Sequence, residues 1–214
     1  GLAWRLGRTG LLGWGIGFAI GGMVVGGLAK SAMDMIKDPA IADLLRKMGG
    51  GEGLLVDVYV TTELGFIAII AAAYGITAIL RWRSEETRSH SEVVLATATS
   101  RTRYAVSQLA IALLGSLVLM VLLGLFLGLA DAGNGGTVGG LGRVLPAALV
   151  RVPAIWVCVC VAVLAVGLFP RWAAAIGWGA LAVVLVVGDF GALMGLPDWM
   201  QRISPFAHVP KMPV

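Results

Sequence analysis

Two carboxylates stand inside apolar runs of this 214-residue chain, Glu63 and Asp189. An ionisable side chain at membrane depth is costly enough to count as a functional candidate. The chemistry open to the pair is to hold a proton or to line an outward-facing exit path. Both lie toward the ends of their runs, with Asp57 and Thr62 near the first and Gly188 and Pro197 near the second, so facing water is the simpler alternative. No catalytic constellation is visible. His90 and His208 fall on opposite sides of the expected membrane and cannot ligate one metal. Cys158 and Cys160, two apart in an apolar run, point roughly 200° apart on a helix and cannot bridge each other. Both read as small packing residues. There is no HExxH, no GxSxG and no glycine-rich phosphate loop ending in Gly-Lys-Ser/Thr. The sequence therefore predicts no catalytic residue, no metal site and no cofactor in this chain, and no ATP hydrolysis by this chain alone.

The elements that must carry these residues are apolar. With 58% hydrophobic and 13% charged residues and a mean hydropathy of +0.91, the chain reads as an integral membrane protein. Its net charge of +4 is no nucleic-acid footprint, because the arginines cluster at membrane borders and form no basic stripe interleaved with aromatics. The excess of Arg over Lys, with abundant Gly, Ala and Val, suggests a high-GC genome.

Five runs reach the length of about 20 apolar residues that a helix needs to cross a bilayer core. They are 11–29, 54–80, 104–130, 145–169 and 172–196. The expected fold is all-α, a bundle of five transmembrane helices with a leading segment at 1–10. The first run is too long for a signal peptide and lacks the small-residue cleavage site. Segment 81–103 interrupts the runs with five arginines (81, 83, 88, 101 and 103) and three glutamates (85, 86 and 92). Its arginine excess places it in the cytoplasm by the positive-inside rule. Two spans away, the segment with Arg5 and Arg8 falls on the same side, leaving 30–53 and 197–214 extracytoplasmic. Within 81–103, Ser84 is the expected helix cap, Glu85 and Glu86 fill the first turn where the dipole favours acids, and Arg101 and Arg103 follow the end.

The residues Glu85, Glu86, Glu92, Val94, Leu95, Ala96, Ser100 and Arg101 closely resemble the intracellular loop of type-2 ATP-binding cassette (ABC) exporter permeases. The likeness is to the actinobacterial antibiotic-export subunits related to tetronasin resistance. In that family an acidic pair leads to a second Glu, then Leu-Leu-Ala and a Ser-Arg ending. The chain departs from the pattern at Ser89, His90 and Ser91, where the family often has Gly-Arg before the second Glu. LAWRLGRTGLLGW, from Leu2 to Trp14, is similar to the start of one half of such a permease. SPFAHVP, from Ser204 to Pro210, resembles the stretch before that family's last span.

The resemblance implies a coupling helix that docks into a groove of a cytoplasmic ATPase subunit, present in two copies. Its ATPase-coupling residues would be Glu85, Glu86, Arg88, Glu92, Leu95, Ser100 and Arg101. ATP and Mg2+ would be bound by that partner. It further implies a plasma-membrane exporter of antibiotics or other lipophilic compounds in a bacterial inner membrane. A half of such a permease has six spans. Residues 197–214 are too polar and proline-rich to be the sixth, and with no initiator Met the expectation is a portion of a longer polypeptide, partnered by a second permease half.

Three surfaces complete the reading. Gly13, Gly17 and Gly21 form a double GxxxG face for a close helix contact, with Gly22 and Gly26 as a neighbouring pair; lining a cavity for bulky apolar cargo is the alternative. In 30–53, Asp38, Pro39 and the stripe Ile41, Leu44, Leu45 and Met48 predict an amphipathic helix that lies on the outer membrane surface or packs on a partner's exterior. Arg151, a turn or two inside the fourth run, is expected to snorkel to the outer interface. Against the exporter reading stand a proton-coupled secondary transporter using Glu63 and Asp189, and a membrane scaffold whose loop binds a cytosolic partner without transport.

Overall fold

The computed structural model describes residues 2–36, 52–87, 101–135, 140–190 and 194–209. Its regular elements, among these residues, are all helical. In chain order they are α1 (Leu2–Ile36), α2 (Glu52–Thr87), α3 (Arg101–Gly133), α4 (Leu141–Leu149), α5 (Val152–Leu168), α6 (Ala173–Asp189) and the short α7 (Asp198–Gln201). A 3-10 turn, Pro205–His208, follows. Four segments are long and apolar enough to cross a membrane: Gly10–Leu28, Tyr59–Arg81, Ala105–Gly133 and Leu141–Leu168. The expected all-α membrane bundle is borne out, and the chain is a multi-pass membrane protein.

The elements differ from the sequence reading in three places. First, α2 runs through Ser84 to Thr87, so Ser84 caps no new helix and Glu85 and Glu86 lie in the last turn of α2. The reason lies in the sequence: residues 76–100 contain neither Gly nor Pro, and the good helix formers Arg and Glu carry the helix out of the apolar zone. In the same way α3 begins at Arg101, ahead of the expected start at 104.

Second, the fourth run is two helices, α4 and α5, parted at Val150 and Arg151. Pro153 has no N–H to donate to the Leu149 carbonyl, and its ring crowds that oxygen. Third, α6 ends at Asp189, well short of 196. Gly188, Gly191 and Gly195 follow one another closely, and Gly195 takes a φ of +65°, a conformation only glycine adopts without strain. The apolar stretch Ala173–Gly188 is thus about 24 Å long at 1.5 Å per residue, short of a bilayer core of about 30 Å. The predicted amphipathic helix at 38–48 lies outside the described residues.

The chain folds as two compact units. One is drawn from Gly1–Ala68 and Val118–Arg151, and so holds α1, the first part of α2, the last part of α3, and α4. The other, drawn from Ile69–Leu117 and Val152–Val209, holds the remainder of α2 and α3 with α5, α6 and the 3-10 turn. In the first, Phe18, Val25, Leu64, Leu123, Leu127 and Val144 are buried. In the second, Ile76, Ile79, Ala112, Ile155 and Val159 are.

Candidate functional site

Helix association in lipid has no hydrophobic drive, so it depends on close backbone approach and on hydrogen bonds between helices. In the first unit α1 approaches α3 through glycines. A Cβ on Gly22 would lie 2.7 Å from the Leu123 carbonyl oxygen, and one on Gly26 would lie 2.8 Å from the Leu127 oxygen and from Ala130 Cβ. Among the described residues, nothing outside the local backbone of α1 lies within 4 Å of where Cβ atoms on Gly13, Gly17 and Gly21 would be. The seam within this chain is therefore the neighbouring pair. At 100° per residue, Gly22 and Gly26 share a face with Gly15, and the Gly13–Gly17–Gly21 stripe is centred on the far side of α1. Ile20 and Val24 are exposed on that same outward side.

At the end of α3 the carboxylate of Asp131 is fully buried. Its Oδ2 accepts the Gly140 N–H at 3.1 Å. Gly140 is the N-cap of α4, so an acid sits where unpaired amide groups and the helix dipole favour negative charge. α4 then lies along α3: a Cβ on Gly128 would be 2.9 Å from Leu141 Cα, and one on Gly124 would be 3.2 Å from Ala148 Cβ.

The elbow after α4 holds Arg151, which is only 4% exposed and therefore does not snorkel as expected. Its own N–H turns to the Ala148 carbonyl, at 3.2 Å, three residues back in place of four. That leaves the Ala147 carbonyl without its helical partner, and the Arg151 side chain fills the gap, Nη1 donating to Ala147 O at 2.6 Å. Nη2 donates to the Thr61 carbonyl on α2 at 2.9 Å. No carboxylate pairs with the guanidinium among the described residues. A buried cation is thus held by main-chain oxygens of two elements.

In the second unit the notches are filled by side chains. Val159 of α5 sits against Gly75 of α2, the Tyr74 ring against Gly115 of α3, and Ser204 against Gly188 of α6. Trp156 Nε1 donates to the Leu113 carbonyl at 3.3 Å, which also accepts from Ser116 Oγ at 2.8 Å. The SPFAHVP segment forms the 3-10 turn, packed on α5 and α6. His208 is exposed, its Nδ1 3.3 Å from Ser204 O. Cys158 is buried while Cys160 is exposed, so only the first packs within this chain.

Of the residues picked for ATPase coupling, Glu85 and Glu86 belong to the last turn of α2 and Arg101 opens α3. Arg88, Glu92, Leu95 and Ser100 lie outside the described residues. Glu63 is half-buried on α2, and Asp189 is the last residue of α6. Glu63 belongs to the first unit and Asp189 to the second. The sequence reading passed over Asp131 and misjudged Arg151. The signal for Arg151 was Pro153 two residues on, since a proline in a span frees carbonyls that a nearby donor can take.

Comparison with known proteins agrees with this architecture. The family model for the multidrug efflux system permease Rv1217c, C-terminal domain, matches residues 1–214. The chain is 37% identical over 214 residues to the multidrug efflux system permease protein Rv1217c of Mycobacterium tuberculosis, a match that takes in 99% of this chain and 39% of that protein. The chain thus spans well under half the length of this relative.

Proposed function

The chain belongs to the family of the multidrug efflux system permease Rv1217c C-terminal domain, and from that premise we propose that it is the membrane-spanning part of an ATP-driven ABC exporter. Its cargo is lipophilic or amphipathic, antibiotics among them. The energy comes from a separate cytoplasmic ATPase, in two copies that bind ATP and Mg2+, acting through the segment between α2 and α3. A second permease half completes the pathway.

The observation that carries this reading is the continuity of the stems. α2 extends from Arg81, where its apolar stretch ends, to Thr87, and α3 starts at Arg101, ahead of its apolar stretch at Ala105. A push on residues 88–100 would reach both spans through unbroken helix, and discrete movement of rigid elements is how switching proteins convert a local event into a global one. The family membership supports export as the direction. The apolar spans support a lipophilic cargo.

The test is to purify the full-length permease from its native membranes in mild detergent and identify its partners. Hydrolysis of ATP is then assayed with and without lipophilic compounds. A co-purifying ATPase, with transport per ATP lost in Glu92→Arg, supports the reading. Unchanged transport in Glu92→Arg removes the coupling role of 88–100. ATP-independent transport that fails in Glu63→Gln moves the assignment to the proton-coupled transporter.

A further inference from the structure

Arg151 is a charge whose position the exporter reading does not by itself explain. It lies within the apolar span Leu141–Leu168, 4% exposed, and none of the described carboxylates neutralises it. Burying a guanidinium without a counter-ion is unfavourable unless its donors are taken up by strong acceptors. Two carbonyl oxygens do this, and they belong to different helices. Ala147 O is free because the Pro153 elbow turns the Arg151 N–H to Ala148. Thr61 O belongs to α2.

Two simpler roles fail on the same geometry. A residue that only satisfied the elbow would need the Ala147 bond and nothing beyond it. A snorkelling arginine would keep its head in water, and this one does not.

We propose that Arg151 is a positioning residue that ties the elbow of the fourth span to α2, so that movement of α2 carries the elbow with it. The proposal rests on the ATP-driven reading above, because α2 is the helix whose other end meets the coupling segment. From Thr87 to Thr61 it is a single helix about 39 Å long at 1.5 Å per residue. The tie works because the fork of the guanidinium reaches two oxygens at once, which a single ammonium does less well. It acts on main-chain atoms, so it fixes the position of the helices whatever the neighbouring side chains do.

The experiment compares Arg151→Met and Arg151→Lys with the unaltered full-length permease, each reconstituted with its ATPase in liposomes. Two quantities are read: transport per ATP, and the distance distribution between spin labels at positions 62 and 150. Loss of a hydrogen-bonded charge contact of roughly 1.5–3 kcal/mol lowers transport per ATP by about tenfold or more in Arg151→Met. Hydrolysis continues and the label distribution broadens. Arg151→Lys, which keeps the charge but presents its donors from one nitrogen in place of a fixed fork, falls between the two. A merely structural arginine would lower the yield of all activities together and leave their ratio unchanged. A normal ratio and an unbroadened distribution in Arg151→Met overturn the proposal. Should transport prove independent of ATP, the exporter reading fails, and the label distribution still decides whether Arg151 ties the elbow to α2.

Discussion

The two units of this protein hold their helices together by different means. The first places buried charges at helix ends and breaks: Asp131 on the amide of Gly140, and Arg151 on the carbonyls of Ala147 and Thr61. Both units use close approach at glycines, and the second fills its notches with side chains, Val159 at Gly75 and Tyr74 at Gly115. Its polar contacts include neutral ones, the bonds from Trp156 and Ser116 to the Leu113 carbonyl. Where backbone is interrupted in an apolar medium, freed N–H and C=O groups must find partners, and a charged side chain reaches them with the strongest bonds. Where helices are unbroken, their backbone is already satisfied and only close approach adds stability.

The largest test of that contrast lies in the glycines. Gly26→Leu sets a branched side chain against the α3 backbone, where even a Cβ is 2.8 Å from an oxygen. Overpacking of this kind costs about 3 kcal/mol or more, so the variant should lose its folded, monodisperse form in detergent. Gly17→Leu, in open space, should keep the thermal midpoint of the isolated chain within experimental error. A Gly17 variant as damaged as the Gly26 one would show that the Gly17 face of α1 is packed as closely as the Gly22 and Gly26 seam.

A middle-sized effect belongs to the charge at the helix start. Asp131→Ala removes the acceptor for the Gly140 N–H and should cost about 1–2 kcal/mol. It is measured by chemical denaturation in micelles, with Asp131→Asn retaining an oxygen and losing less. Equal losses in both would show that charge, not the acceptor, is what matters there.

The smallest effect should come from Ser204 in the second unit. Ser204 is buried and its Oγ makes no hydrogen bond, so Ser204→Ala removes an unsatisfied group. It should be neutral or stabilising by up to about 1 kcal/mol. A clear loss of stability there would reveal a partner for the hydroxyl and narrow the difference between the units.

Much of the architecture was readable from residue order. The runs at 11–29, 54–80 and 104–130 became the described spans to within a few residues, because twenty apolar residues in lipid must be helical to satisfy their own backbone. The residues Glu85, Glu86, Glu92 and Ser100–Arg101 carry a likeness to exporter permeases, and the permease family that matches the whole chain agrees with it. What failed was local punctuation. Ser84 looked like a cap, yet a Ser followed by two Glu also fits the middle of a helix when no Gly or Pro intervenes. Pro153 marks the break, but which carbonyls Arg151 takes there, those of Ala147 and Thr61, depends on the packing of α2.

The sequence by itself determined that this is a helical membrane protein of the permease family and where its spans fall, for hydropathy and length are properties of each segment alone. The tertiary structure decided which of two glycine stripes on α1 is a seam, that Arg151 is buried, and that Asp131 caps α4. Those outcomes depend on pairs far apart in the chain, 26 with 130 and 61 with 151. Such pairs are set by how the helices pack, and no single helix carries that information.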